Sequence, residues 1–434
     1  PPHHLRHPAI RMIPLLTTRM AQPSLVLDFL AGTLDARIAF TRASTASYTD
    51  NAGTLRSVAI DTPRFDTDPA TLLPRGLLAE EQRTNQIRNP RAEGATVGTI
   101  GAGGVLPTNW GRYATAGLSS AVVAVGTESG IPYCDIRWWG TATGTASATC
   151  FPEPATVIAG GIGQSWTASM FCTLVGGSLA GASSGPALNV IEYTATGVYV
   201  VGSGVGFTPI AAALATQRRS YTRMLTGDTT NFVGTTIATT FPTGAVVDFT
   251  LRIGVPQLEQ GPFASSPILP PAGTLAASTR AADIAKIAGA DFAALYNPVA
   301  CTVVTRFQSF GAANSFVLRV SDLGYSNGLS FGCNSGTVLA QAVVAGTPTL
   351  SPGGMPARTA AVTNLAGALA SDDAQAAVNG TTVTRDSAGA MPPGMVQANL
   401  GSDHLGFNNL NGWIQRLVLY PSRIPDTMLR SLSA

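Results

Sequence analysis

The residues of this chain that could do covalent chemistry are thinly spread. GASSG, residues 181–185, places Ser183 in a nucleophile-elbow pattern. That pattern works on a strand-to-helix turn, with a histidine later in the chain to take the serine proton. Here Pro186 follows at once, the strand-like ALNVIEY comes next, and the only downstream histidine is His404, in a separate predicted domain. The carboxylates are no better placed. Glycoside hydrolysis needs two of them facing one groove. Glu80 and Glu81 are sequence neighbours, which a strand sends to opposite faces. Asp372 and Asp373 fall in a predicted turn, and Glu192 and Glu259 are isolated. No residue is assigned a catalytic role.

Metal and nucleotide chemistry are equally unsupported. Cys134, Cys150, Cys172, Cys301 and Cys333 are odd in number and show no CxxC spacing. They read as small buried core residues, not as a metal cluster or a disulfide framework. His3, His4 and His7 belong to an exposed tail. The runs GSGVG (202–206) and GAGG (101–104) lack the βαβ context of a dinucleotide site and read as turn or bulge glycines. No metal and no cofactor are expected. The formal net charge of +2 is too small to imply a nucleic-acid partner. No apolar run approaches the ~20 residues of a membrane span.

Aromatic side chains are the remaining lead, because sugar rings stack on flat aromatic faces with polar groups around them. Trp110, Tyr113, Tyr133, Trp138 and Trp139 fall close together. In YCDIRWWG, strand alternation puts Trp138 with Cys134 and Ile136 on a core face. Trp139 then shares the other face with Tyr133, Asp135 and Arg137. Trp139 is the first candidate glycan platform, with Tyr133, Trp110 and Tyr113 around it. The competing use of Trp139 is packing against a neighbouring domain or subunit. Trp413, in LNGWIQRL, reads as core or subunit contact.

The elements that must position these residues are strands. Phe249, Leu251, Ile253 and Val255 alternate with Asp248, Thr250, Arg252 and Gly254. Val303, Thr305 and Phe307 do the same, and so do Phe316, Leu318 and Val320. Period-2 alternation marks strands with one face buried and one wet, as in antiparallel sheets. Helical patterns are confined to ADFAALY (290–296) and PDTMLRSL (425–432), the latter opening on Pro425 and Asp426. With 47 glycines and 29 prolines among 434 residues, short strands joined by turns are expected, and the length allows two or three domains. Charged residues make up only 12%, about half the usual share, and Lys286 is the only lysine. So few charges protect poorly against association and favour life inside an assembly.

The predicted architecture is all-β: an N-terminal docking module followed by two antiparallel β-sandwich (jelly-roll) domains. The breaks fall at IRNPRAEGATVGTIGAGG, read as a linker or a domain entrance, and at SSPILPPAGTLAAS (265–278), read as an extended connection. Residues 1–19 form a flexible arm or upstream sequence, 20–90 the module, 91–268 the first sandwich and 269–434 the second.

Three sets of motifs carry a resemblance. VLDFLAGTLDARIAFTRASTASYTDNAG, DTPRFDTDP and PRGLLAEEQRTN resemble the N-terminal module of bacteriophage head-spike and fibre proteins, also found in gene-transfer particles. RIGVPQLEQGPFASSPI resembles the closing strand of carbohydrate-binding jelly rolls. AAVNGTTVTRD and NNLNGWIQRLVLYPSRIPDTMLRSLSA resemble a laminin-G or concanavalin-like sandwich, in which Asn-Gly makes a hairpin and the last strand runs into a short helix. Some relatives of that sandwich bind calcium. Asp372, Asp373 and Asp403 are the only candidates here, and they make no obvious acidic cluster.

The resemblance implies a non-enzymatic virion protein on the particle exterior, a head spike or fibre. Its N-terminal module, separable from the sandwiches, would dock to capsid or other virion proteins. Its copies would form a homo-oligomer such as a trimer, and its sandwiches would adhere to host surface polysaccharide. The alternatives are a polysaccharide hydrolase or esterase on the same scaffold, and a decoration protein whose sandwiches bind only other subunits.

Overall fold

The computed structural model describes residues 21–311 and 314–434. The arm 1–19, with His3, His4 and His7, lies outside the described residues. The rest is all-β. Phe249, Leu251 and Ile253 are buried in one core, as the alternation requires, whereas Val255, at positive φ, is buried in a separate cluster with Ile131, Phe171 and Leu214. The two α-helices among the described residues, Gly289–Leu295 and Asp426–Leu432, lie where the helical patterns put them.

The central sandwich packs a five-stranded sheet on a seven-stranded one. The five-stranded sheet runs Gly111–Ala114, Ala146–Phe151, Phe232–Phe241, Ser184–Tyr193, Tyr199–Gly206. The seven-stranded sheet is built on the long strands Ser165–Ser178 and Val246–Gln260. Between them lies a closed core in which Trp138 stacks on Phe249 at 5.3 Å. Cys134, Cys150 and Cys172 are part of that core, and burial pushes all three thiols well up from their ordinary value.

The C-terminal sandwich pairs an eight-stranded with a seven-stranded sheet. Asn379 and Gly380, both at positive φ, close the hairpin between Asp373–Val378 and Thr381–Thr382. The last strand, Gly412–Tyr420, leads to the terminal helix. A bulge between Phe316 and Leu318 lets Val317 reach the core too, so this strand is buried along its whole length.

One expectation fails. Residues 20–90 do not make a module separable from the sandwiches. Leu25–Asp28 pairs with the last strand, Leu25 opposite Leu419 and Leu27 opposite Leu417. Pro74–Ala79 continues the same edge, and Ala39–Thr41 extends the opposing sheet through Ile284–Ala288. Leu25, Leu27, Phe29, Ile38 and Leu77 are part of the C-terminal core. The reason is physical: strands of three to six residues cannot bury both faces among themselves. The linkers are structural as well. Ile87 and Asn89 are fully buried, and Gly98–Ile100 and Gly103–Gly104 add to the seven-stranded sheet.

Buried charge locks the joint between the sandwiches. Arg64 pairs with Glu80 at 2.8 Å and with Asp283, Arg42 pairs with Asp283 at 3.0 Å, and Arg280 pairs with Glu80 at 2.9 Å. Ser266, from the connection read as extended, donates its amide and hydroxyl to Glu80, each at 2.7 Å. Burial alone would raise the Glu80 carboxyl. Arg280 and Arg64 outweigh it and hold the group at about 2.

Candidate functional site

The central sandwich carries a groove of about 360 Å³ on the outer face of its five-stranded sheet. Its floor follows from the register. Thr149 sits opposite Ala238, Thr236 opposite Asn189, and Asn189 opposite Gly204. Gly234 sits opposite Ile191, and Ile191 opposite Gly202. The side chains of Ile191, Asn189 and Tyr193 lie over Gly202, Gly204 and Gly234, taking the space a Cβ would need. Gly204 has no room for a side chain, and at Gly234 one would fit only tightly. A Cβ on Gly204 would lie 2.2 Å from Asn189 Oδ1, and one on Gly234 would lie 3.0 Å from the Tyr193 ring.

Aromatic rings wall the groove on both sides. Tyr113 packs on Phe151 at 5.3 Å along one edge, and Tyr193 faces Tyr199 across the hairpin on the other. Tyr113 and Tyr199 are more than half exposed, at 56% and 59%. None of the three phenol hydroxyls has a hydrogen-bond partner among the described residues. Burial pushes the Tyr193 phenol up to about 12, with Tyr113 and Tyr199 adding to the effect. It is a neutral donor and acceptor at any physiological pH. The floor adds the Asn189 amide, which donates to Thr236 Oγ1 at 3.1 Å. The one carboxylate lining the groove, Glu153, is buried and held by Arg88 through its backbone amide (2.7 Å) and guanidinium (2.9 Å). The groove is thus a neutral channel with aromatic walls and free hydroxyls.

The four aromatic residues singled out in the sequence are not brought together. Tyr113 is in the groove. Trp110 is a core residue, its indole donating to Asn89 O at 2.9 Å. Tyr133 lies on the other sheet beneath Arg252, whose guanidinium carbon is 3.7 Å from the ring centre. Trp139 also lies on that sheet, half-buried and outward-facing, with Arg137 at 5.2 Å over its ring and Trp138 turned into the core. Tyr193, Tyr199 and Asn189 were missed. GSGVG is not a turn; it lies within the strand Tyr199–Gly206. The signal was there in Gly202 and Gly204 at strand period, just after Tyr199.

The residues weighed for catalysis have other tasks. Ser183 is exposed on a bend, sharing a hydrogen bond with Thr240 at 3.1 Å, while His404 meets Tyr325 edge-on in the C-terminal sandwich. Glu192 is fully buried and accepts from Arg223, Thr230 and the amides of Thr226 and Gly227. Asp403 accepts from Tyr325, Asn408 and two loop amides, and Asp373 pairs with Arg423. Among the described residues no cluster of three or more His, Cys, Asp or Glu side chains is arranged to hold a metal ion.

No protein-family model and no curated protein matches the chain. Among solved structures it is similar to the CBM40 of Ruminococcus gnavus IT-sialidase bound to α2,3-sialyllactose, with 13% identity over 33% of this chain and 87% of that one at TM-score 0.28. The CBM22-1-CBM22-2 tandem of Paenibacillus barcinonensis Xyn10C aligns over 79% of this chain and 98% of its own at 7% identity, TM-score 0.23. Mouse laminin α1 domains LG4-5 align over 68% and 90% at 11% identity, TM-score 0.21. At these scores no ligand or activity transfers from them to this chain.

Proposed function

We propose that this chain is a non-enzymatic glycan-binding protein displayed on the exterior of a phage or phage-like particle, and that it holds a neutral polysaccharide segment in the groove of its five-stranded sheet. One observation carries the binding reading: Tyr113, Tyr193 and Tyr199 present free hydroxyls around a floor of Thr149, Asn189, Thr236 and Ala238. Aromatic walls take the apolar faces of pyranose rings, and the phenols and Asn189 exchange hydrogen bonds with their hydroxyls. The groove's one carboxylate is held in an ion pair, so it favours an uncharged sugar and lacks the two acids that glycoside hydrolysis uses. The particle setting rests on the N-terminal motifs and on the scarcity of surface charge. Repeated copies on a particle turn weak single sites into firm adhesion.

The test is a glycan array followed by titration of the best neutral ligand. Tyr199→Ala should weaken binding by about 1 kcal/mol, roughly fivefold, and leave the melting temperature unchanged because the ring is exposed. Gly204→Val should abolish binding. Array signal that survives Gly204→Val would remove the groove from consideration, and depolymerisation of the ligand would favour the hydrolase reading. Antibody labelling of intact particles tests the display reading separately.

A further inference from the structure

A second cavity, of about 380 Å³, opens where the N-terminal segment and the two sandwiches meet. Its apolar walls include Phe171, Phe263 and Phe310. Five charged residues line it: Asp66, Asp68, Glu80, Arg75 and Arg218. Four are satisfied. Asp68 pairs with Arg75 at 2.7 Å and accepts the amides of Ala70 and Thr71. Arg75 also lies 4.5 Å over the Trp413 ring. Glu80 belongs to the buried network at the joint. Asp66 accepts from Thr49 N at 2.7 Å and from Trp413 Nε1 at 3.0 Å, and burial pushes its carboxyl up, toward the neutral acid.

Arg218 is different. Its Nη2 donates to Ser169 Oγ at 3.0 Å and to Ser265 O at 2.7 Å, both uncharged. No carboxylate of the described residues comes within the 4.0 Å of an ion pair, and its Nε and Nη1 find no acceptor among them. Arg218 is partly exposed, and a guanidinium with spare donors lining a cavity is a site for an anion, since its planar fork matches a carboxylate in paired hydrogen bonds. Tyr48, also in the lining, adds a hydroxyl with no partner among the described residues. The volume, near the lower end of the ~300–1,000 Å³ usual for small-molecule sites, suits one ring better than a chain.

We propose that this cleft binds a small organic carboxylate carrying an apolar ring face, with Arg218 as its counter-charge and the phenylalanines as its walls. The site is separate from the sheet groove and does not rest on the glycan reading.

Calorimetric titration of the full chain with D-glucuronate, benzoate and D-glucose tests it. At least one carboxylate should bind saturably, and glucose should not. Binding of glucuronate alone identifies an acidic sugar as the ligand type; binding of both acids identifies the carboxylate and ring face as sufficient. Arg218→Gln should weaken that binding about tenfold or more. Ala70→Trp fills the cleft from an exposed turn, keeps every charge, and should weaken it as much even if Arg218→Gln proves unstable in a thermal melt. Tyr199→Ala, in the other groove, should change nothing. The proposal is overturned if glucose binds as well as glucuronate, if neither acid binds at millimolar concentration, or if binding survives both cleft variants.

Discussion

The groove and the cleft enclose similar volumes, about 360 and 380 Å³, but they are made in opposite ways. The groove lies on a single sheet: Thr149, Asn189, Thr236 and Ala238 make its floor while tyrosines stand at the rims. The cleft is a gap between bodies, lined by residues as distant in sequence as Tyr48, Arg218 and Trp413. One is neutral and depends on local register. The other is charged and exists only while the joint holds. A sheet face therefore offers a site that survives changes elsewhere in the molecule, whereas an interdomain gap ties binding to the integrity of the whole.

The strongest way to break this comparison is to remove residues 21–85. The C-terminal sandwich would lose the strands Leu25–Asp28 and Pro74–Ala79 beside its last strand, six buried residues of its core, and Arg42, Arg64 and Glu80 from the joint. Arg280 and Asp283 would be left as buried charges without partners, which is strongly destabilising. We expect the C-terminal sandwich to lose cooperative melting and the cleft to vanish. The central sandwich, whose core lies within residues 87–258, should stay folded and keep glycan binding. A truncated chain with both transitions intact in calorimetry would show that the N-terminal strands are ornament.

Acid should separate the two sites less drastically. The carboxyl of Glu80 falls from 4.5 to about 2 on folding, because Arg280 and Arg64 favour its charged form over the opposing effect of burial. A depressed carboxyl contributes stability that is complete above about pH 4.5 and is lost as pH falls toward 2. Melting of the joint should therefore move down through that window, and Glu80→Gln should flatten the dependence. On the alkaline side Tyr193 is held neutral up to about 12, so its contribution to glycan binding should be level through pH 9. Joint stability that is equally flat from pH 5 to 2 in wild type would mean that the network does not hold the ionised acid.

The fold was legible because alternation is a local signal. Phe249 to Ile253 and Val303 to Phe307 announce buried faces whatever they pair with, and Asn379–Gly380 announces its hairpin. Pairing partners are not local. Nothing in Leu25, Leu27 and Phe29 says that their neighbours are Leu419 and Leu417 nearly four hundred residues away, so a segment with motifs of its own was read as a separate module. The site was half legible for the same reason. Tyr113 was found because it lies in a dense aromatic run. Tyr193 and Tyr199 stand alone in sequence and become a wall only through their pairing. Gly202 and Gly204 were discounted because Gly-rich runs usually turn, and here they lie within a strand.

Trp139 gives the smallest and sharpest test. It is half-buried on the outer face of the seven-stranded sheet, opposite Asp248 and beneath Arg137, while the groove opens on the other sheet. Arg137 is itself tied to Asp248 by two bonds of 2.8 Å, so its guanidinium is held near one face of the indole. A ring in that position can stack a sugar only on what is left exposed. If the five-stranded sheet carries the glycan, Trp139→Ala should shift affinity by less than twofold and stability by about 1 kcal/mol or less, the scale of an exposed cation–π contact. Titration of the same neutral ligand against Trp139→Ala and Tyr199→Ala decides between the faces. A loss confined to Trp139→Ala would move the site to the seven-stranded sheet, and a loss confined to Tyr199→Ala would leave Trp139 with packing as its only task.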